Sequence, residues 1–135
     1  MYDDEEDLPL ALAKKYPHLL MVSPVTGKPT EYTVCSQYPL GWFKIIEQLV
    51  QKVDALNLPS SIFFTQIKEK FGTLRSYTSY HTEELGQLIT EAEQKSAVTC
   101  EVCGEPGRTR NLVWIATLCD THIGPELELL EESEE

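Results

Sequence analysis

The sequence lacks an excess of basic residues and lacks any long apolar run. Its 11 lysines and arginines are outnumbered by 22 aspartates and glutamates, which gives a formal net charge of −11. The apolar runs are far shorter than the roughly 20 residues that cross a bilayer, so no membrane segment is expected. Residues 1–7 are acidic where a signal peptide would be basic and then apolar. These shortages predict an unexported protein in the reducing cytoplasm.

Familiar catalytic motifs are also missing. The chain has no nucleophile elbow, no P-loop, no dinucleotide-binding fingerprint and no HExxH. His18 and His81 stand alone in the sequence, and isolated histidines are more often surface residues than catalytic ones. We therefore predict that the protein is not an enzyme.

The acidity of the chain is concentrated at its two ends. Five of the 22 acids fall within residues 3–7 and six within residues 126–135. The other half balances all 11 lysines and arginines, so the segment between the tails is formally neutral. Such tails either keep a protein soluble or steer it towards a basic partner. They argue against affinity for nucleic acid, because like charge repels phosphate.

Three of the four cysteines fall on a metal-binding pattern. Cys100 and Cys103 are followed, after fifteen residues, by Cys119 and His122, which gives C-x2-C-x15-C-x2-H. Two residues between paired ligands let a tight turn direct both side chains to one point, and the insert can form a hairpin. Four protein ligands close a tetrahedron, so we predict one structural Zn²⁺ per chain. The alternative is that the cysteines are buried thiols or disulfide partners.

Two other metal arrangements compete with this one. His81–Glu83 followed by Cys100-x-x-Cys103 resembles the H-x-E and C-x-x-C pieces of zinc deaminases. Thr99 stands where those enzymes have proline, and the deaminase interpretation gives the second ligand pair no role. Cys35 is either a buried thiol or a substitute zinc ligand if the histidine does not reach the metal.

The remaining pattern predicts an α+β domain. Apolar residues recur at spacings of three and four from 42 to 56, as in an amphipathic helix. Ile62–Lys68 and Leu74–Tyr80 predict strands joined by a hairpin turn at Lys70–Thr73, and Thr82 is expected to cap a second helix. In the first strand, alternation would place Phe63, Thr65 and Ile67 on one face and Phe64, Gln66 and Lys68 on the other.

Shorter segments complete the predicted organisation. Leu8–Tyr16 is expected to be a short helix, Ser23–Pro29 a turn and Tyr32–Cys35 a strand, and Leu112–Ala116 is expected to be extended. The zinc segment predicts a treble-clef or ribbon-like module. The expected divisions are an acidic tail (1–7), an α+β domain (8–98), a zinc-binding module packed on it (99–124) and a second acidic tail (125–135).

Several strings resemble a family of small uncharacterised zinc proteins found in bacterial, prophage and phage genomes. The hairpin and zinc strings are the most specific, and the two acidic tails are not part of the family pattern. Members often carry Cys and Gly just before the tryptophan, whereas Cys35 lies earlier here. The resemblance implies a phage-associated zinc protein and no catalytic mechanism. The matching pieces are Lys15–Pro17, Gly41–Ile46, Gln66–Arg75, Cys100–Gly107 and Thr117–His122.

These observations together predict a protein that binds and inhibits a partner protein, of the antitoxin, immunity or phage anti-defence type. The partner would be a toxin or a defence enzyme with a basic face, towards which the acidic tails would steer the chain. The expected partner-binding residues are Asp3, Asp4, Glu5, Glu6, Lys68, Lys70, Arg75, Arg108 and Arg110.

The alternative is a nucleic-acid-binding zinc-finger accessory protein. Its basic residues would contact phosphates, while Tyr77, Tyr80 and Trp114 would stack on bases. Because the central segment is neutral and both tails are acidic, nucleic acid is an unlikely partner. The sequence predicts no affinity for DNA or RNA tighter than the non-specific range of about 10⁻⁴–10⁻⁶ M at physiological salt.

Overall fold

The fold mixes helices with two separate antiparallel hairpins, which confirms the α+β prediction. The structure is a computed structural model that describes residues 8–34, 38–111 and 115–123. None of the helices in these ranges has the length and apolar character needed to cross a membrane. The helices are α1 (Leu8–Lys15), α2 (Pro17–Leu20), α3 (Phe43–Ala55), α4 (Glu83–Ser96) and α5 (Asp120–Ile123), with a 3-10 turn at Leu40–Trp42. The strands are β1 (Phe64–Lys70), β2 (Thr73–Thr78), β3 (Arg108–Asn111) and β4 (Ile115–Leu118).

Helix α3 is the predicted amphipathic helix, one residue shorter at each end. Ile46, Val50 and Val53 are buried along one face, as the spacing of three and four requires. Trp42, in the preceding 3-10 turn, is fully buried. Its indole Nε1 donates to the carbonyl of Thr99 at 2.9 Å, which ties the start of α3 to the segment before the cysteines.

The β1–β2 hairpin forms at the predicted turn. The turn residues Phe71 and Gly72 have φ values of +54° and +80°, which is the combination of a type I′ turn. The predicted alternation in the first strand is wrong at its start, because Phe64 and Ile67 are both buried. The pairing register shifts between Phe64 and Gln66. An extra residue at such a bulge moves the following side chains to the other face.

Helix α4 begins at its predicted cap and packs on α3 and β2. The hydroxyl of Thr82 accepts a hydrogen bond from the backbone N–H of Leu85 at 3.1 Å. At the other end of α4, the fully buried hydroxyl of Ser96 accepts from the N–H of Leu74 at 2.8 Å. The inner face of the hairpin is therefore fixed to the helices by both apolar packing and a buried hydrogen bond.

Two apolar clusters lie in the described part of the chain. The larger one fills the space between α1, α2, α3, α4 and the inner face of β1–β2. The smaller one contains only four buried residues and lies between β4, α5 and the first cysteine. Its members are Cys100, Ala116, Leu118 and Ile123.

The shorter predicted segments have mixed outcomes. Helix α1 and the Ser23–Pro29 turn are confirmed, the latter by a hydrogen bond of 2.8 Å from the N–H of Gly27 to the carbonyl of Ser23. The predicted strand at Tyr32–Cys35 is wrong for residues 32–34, which form bends and a turn. Cys35 itself, residues 112–114 and both acidic tails lie outside the described residues.

Candidate metal centre

The first ligand pair lies on a tight turn that follows α4. The N–H of Gly104 donates to the carbonyl of Cys100 at 2.9 Å, and the N–H of Cys100 donates to the carbonyl of Glu105 at 2.7 Å. Gly104 has a φ of +82°, a conformation that favours glycine. The backbone N–H groups of Val102 and Cys103 point at the Cys100 sulfur. This turn, residues 100–104, is called the knuckle below.

The second ligand pair is delivered by the β3–β4 hairpin. Because β3 and β4 pair antiparallel, with Arg108 opposite Leu118, strand β4 returns the chain to the knuckle. Cys119 follows β4 directly, and α5 then places His122 one helical turn further on. The N–H of His122 donates to the carbonyl of Cys119 at 3.2 Å, which closes that turn.

The four predicted ligands meet at one point. The three sulfurs and the imidazole Nδ1 all lie within 4.8 Å of one another. The Sγ atoms of Cys103 and Cys119 are 3.8 Å apart, and Nδ1 of His122 lies 3.7 Å from Sγ of Cys100 and 3.2 Å from Sγ of Cys119. In a tetrahedral zinc site with Zn–S of about 2.3 Å and Zn–N of about 2.0 Å, neighbouring ligand atoms lie about 3.6–3.8 Å apart. The cluster is a plausible metal site of this size.

The same distances exclude a disulfide among these residues. All three cysteines are free, and a disulfide would need sulfurs about 2.05 Å apart. Cys100 is buried, Cys119 is half-buried, and Cys103 and His122 are exposed. The site therefore opens to solvent on one side and rests on the small apolar cluster on the other.

Hydrogen bonds favour ionised sulfur in this cluster. Burial opposes ionisation of Cys119, but the backbone N–H and the imidazole of His122 outweigh it and lower the pKa of that thiol to about 6. Burial likewise opposes ionisation of Cys100, and the backbone N–H groups outweigh it and lower its pKa. Hydrogen bonds to the sulfurs of Cys119 and Cys100 raise the pKa of His122. A divalent cation would favour the ionised thiols further, because it supplies the opposite charge.

Cys103 behaves differently from the other two thiols. The hydrogen bond from the N–H of Glu105 is the largest single influence on Cys103 and lowers its pKa. Burial and the neighbouring thiols of Cys100 and Cys119 act in the opposite direction and together outweigh it, so the pKa of Cys103 is raised. Three crowded sulfurs repel one another once ionised, so the last to ionise does so least readily.

Arg110 supports this site from inside the fold. Its side chain is only 3% exposed. The guanidinium donates to the carbonyl of Leu118 at 3.1 and 3.2 Å and to the carboxylate of Asp120 at 2.9 Å, so it fixes the link between β4 and α5. Arg110 is one of the predicted partner-binding residues, but in this position it offers a partner almost no surface.

Two hydrogen bonds fix the cysteine-containing segment on the larger domain, and a third ties its two halves together. The N–H of Gly41 donates to the carbonyl of Glu101 at 2.9 Å, and a Cβ on Gly41 would overlap the backbone of the knuckle. The N–H of Glu101 donates to the carbonyl of Thr117 at 2.9 Å. The hydroxyl of Thr117 donates to the carbonyl of Gly72 at 2.6 Å. The knuckle, the β1–β2 turn and β4 thus meet along one line of contact, formed by Gly41, Gly72, Glu101 and Thr117, which is called the seam below.

Sequence reasoning missed the seam residues. Gly41, Glu101 and Thr117 have no ligand chemistry, and the only available signal was a glycine directly before a tryptophan. Burial raises the pKa of Glu101, the N–H of Thr117 opposes that shift, and the carboxylate of Glu69 adds to it. The seam therefore holds a half-buried carboxylate close to a second one.

The other predicted site residues lie elsewhere. Lys68, Lys70 and Arg75 lie on the β1–β2 hairpin, Arg108 is exposed on β3, and residues 3–6 lie outside the described part of the chain. His81 of the alternative deaminase motif packs its ring against Gly86 and is not a member of the cysteine cluster.

Comparison with known proteins adds no assignment. No family model matches the chain, and neither a curated protein nor a solved structure is significantly similar to it. The geometry of the site and the surface of the fold are therefore the features that point to a function.

Proposed function

We propose that Cys100, Cys103, Cys119 and His122 hold one structural Zn²⁺ in each chain, and that the zinc-stabilised protein acts by binding a partner protein. The observation that carries the metal assignment is the separation of the ligand atoms, 3.2–3.8 Å for the three pairs given above. Those separations fit a tetrahedral ion with Zn–S of about 2.3 Å.

The chemistry of the donors supports zinc over other common cations. Thiolates and imidazole are ligands for zinc, whereas calcium and magnesium prefer oxygen. The order of knuckle, β-hairpin and helical turn is that of a treble-clef module. Among the described residues the apolar cluster beneath it has four buried members, so metal binding would supply much of the stability of this segment.

A binding role is the function that fits a closed site. Four protein ligands leave no open position for an activated water or a substrate, so the zinc would organise the fold without taking part in catalysis. The partner we propose is a toxin or a defence enzyme with a basic face, which the protein would occupy and inhibit. Free thiols at a zinc site also suit the reducing cytoplasm, where we place the protein.

Metal analysis of the purified chain tests the first half of this proposal. We expect one zinc per wild-type chain and less than a stoichiometric amount in Cys103→Ser. The variant should lose several kcal/mol of unfolding free energy and melt about 10 °C or more below the wild type, because metal binding is part of folding in such modules.

Cys35→Ser is the matched control, since it makes the same chemical change at the one cysteine that is not among the four predicted ligands. It should keep its zinc and melt close to the wild type if Cys35 is not a ligand. Wild-type protein without zinc would overturn the assignment. Zinc lost from Cys35→Ser but kept by His122→Ala would instead show that Cys35 replaces the histidine.

Testing the proposed partner binding requires the partner itself to be isolated. We expect affinity purification with the folded chain to recover one protein in near-stoichiometric amount, and the zinc-free Cys103→Ser protein to recover much less of it. A partner whose activity is unchanged by saturating amounts of this chain would contradict inhibition while leaving the zinc assignment intact.

A further inference from the structure

The fold concentrates cations on the outer face of the β1–β2 hairpin. Lys68 lies directly opposite Arg75, Gln66 lies opposite Tyr77, and Lys70 lies opposite Thr73. The intervening pairs, Ile67 with Ser76 and Glu69 with Leu74, belong to the inner face, where Ile67, Leu74 and Ser76 are buried. The six outer residues are called the strip: Gln66, Lys68, Lys70, Thr73, Arg75 and Tyr77.

The strip carries three positive charges and no carboxylate. Glu69, the only acid on either strand, belongs to the inner face, and its side chain accepts a hydrogen bond from the N–H of Gly72 at 2.8 Å. Within the described ranges, Lys68 and Lys70 form no ion pair. The formal neutrality of the central segment therefore conceals a basic face.

The central pair of the strip is unfavourable for the isolated fold. Like charges directly opposite each other on a β-sheet destabilise it, and Lys68 faces Arg75 in this way. The guanidinium of Arg75 is held by a hydrogen bond of 3.0 Å from Nε to the hydroxyl of Thr73. Two cations on directly opposite residues, one of them held in place, are suited to binding an anion between them.

Exposed aromatic rings lie at both ends of this cationic pair. Tyr77 is 43% exposed at one end, and Phe71 is 62% exposed in the turn at the other. The ammonium of Lys70 lies 5.6 Å from the centre of the Phe71 ring. The span from residue 66 to residue 70 is about 14 Å at the rise of a β-strand. Cations with an exposed ring at each end suit a chain that carries both phosphates and bases, and RNA-binding sheets stack bases on exposed aromatic rings.

We propose that the strip binds a short segment of single-stranded nucleic acid, with phosphate on Lys68 and Arg75 and a base stacked on Tyr77. An acidic protein surface would satisfy the cations but would leave the exposed ring of Tyr77 without a role. The strip spans only a few nucleotides and the whole chain is acidic, so the affinity belongs in the weak, salt-sensitive range. This activity goes beyond the proposed partner binding.

Fluorescence anisotropy with a short labelled oligothymidylate tests the proposal on the full chain. At low salt we expect measurable binding that weakens steeply towards physiological salt. The double variant Lys68→Gln/Arg75→Gln should bind at least about fivefold more weakly and should reduce the magnitude of the salt slope by about 0.7, the contribution of one phosphate contact on a single strand. Tyr77→Ala should lose about fivefold or more with an unchanged salt slope, as expected for a stacked base.

Stability measurements separate binding from folding. Lys68→Gln/Arg75→Gln removes a like-charge pair, so it should melt at or above the wild-type temperature while binding less. Lys28→Gln/Lys44→Gln is the matched control, because it removes the same charge from exposed positions outside the strip. The control should bind nearly as well as the wild type.

Three results would overturn the proposal. The first is no binding by the wild type at low salt. The second is an equal loss in the control double variant, which would mean that binding reflects overall charge. The third is full binding by Tyr77→Ala together with equal competition by an acidic peptide, which would make the strip a docking site for acidic protein. None of these results bears on the zinc site, which metal analysis tests separately.

Discussion

Gly41 is the residue at which the helical domain and the knuckle come closest. Its N–H donates to the carbonyl of Glu101 at 2.9 Å, and the carbonyl of Gly41 lies 3.0 Å from where a Cβ on Gly104 would stand. A side chain at either glycine would meet backbone, which cannot move aside as a side chain can. The approach of two backbones, and not an unusual φ, is what requires glycine at position 41.

Gly41→Ala should therefore destabilise the protein strongly. We expect a loss of about 1–3 kcal/mol or more in the free energy of unfolding by urea, because the added methyl overlaps the backbone of Cys100 and Glu101. The variant should also bind zinc more weakly in competition with a chelator, since the displaced backbone belongs to the knuckle.

Gly86→Ala is the matched control for Gly41→Ala. Its Cβ would meet only the ring of His81, a side chain that can turn away, and alanine is favoured over glycine within a helix by about 1 kcal/mol. We expect it to be neutral or stabilising. Equal losses in the two variants would show that the seam is looser than the structure indicates.

The β1–β2 hairpin is the element that connects the larger core, the seam and the strip. Strand β2 packs on α4, strand β1 packs on α2, and the turn contacts β4 through Thr117. The turn is type I′, for which asparagine followed by glycine is preferred, yet Phe71 occupies the first position. A bulky residue in this left-handed conformation costs stability, as expected where a side chain is kept for a surface role.

Two substitutions in this turn should act in opposite directions. Phe71→Asn should raise the free energy of unfolding by about 0.5–1 kcal/mol, because asparagine tolerates positive φ better than phenylalanine. Gly72→Ala should lower it by about 1–2 kcal/mol, because φ is +80° and the new Cβ would lie 3.3 Å from the hydroxyl of Thr117. Chemical denaturation of both variants beside the wild type measures the two effects. Changes of the same sign would contradict the assigned turn type.

At the scale of the whole molecule, charge is separated along the chain and also across the fold. Half of the acids lie in the two terminal segments, and the cations of the hairpin gather on the outer face of β1–β2. Net charge therefore affects how fast a charged partner approaches from a distance, whereas the strip affects binding only once a ligand is in contact with it. Ionic strength distinguishes the two, because screening removes the long-range part first.

Deleting residues 1–7 and 125–135 should slow association with a basic partner and leave dissociation nearly unchanged. The effect should be largest at low salt, because exposed charges are screened beyond about 8 Å at physiological ionic strength. Association and dissociation rates of full-length and tailless protein, each at two salt concentrations, measure it. Equal association rates at both salts would reject steering. The tails would then serve solubility, and the tailless protein should precipitate more readily.

Several local elements and the two pairs of candidate ligands could be predicted from the amino-acid sequence alone. Helix α3 follows from apolar spacing, the start of α4 from Thr82, and the hairpin turn from Gly72, because each depends on residues close in sequence. The C-x2-C and C-x2-H pairs likewise require only a short turn each to present two ligands. For these features the local pattern restricts the backbone to few conformations, so the prediction and the structure agree.

Which faces are buried and which distant segments touch became visible only in the folded molecule. The bulge after Phe64 changes the inward face of β1, Arg110 turns inside where its charge suggested the surface, and Gly41 meets a knuckle about sixty residues away in the chain. By composition the segment between the two acidic tails is formally neutral, but the fold brings three of its cations together on the outer face of β1–β2. These outcomes depend on packing between residues that are distant in sequence. A local sequence pattern does not predict which distant residue will become a neighbour.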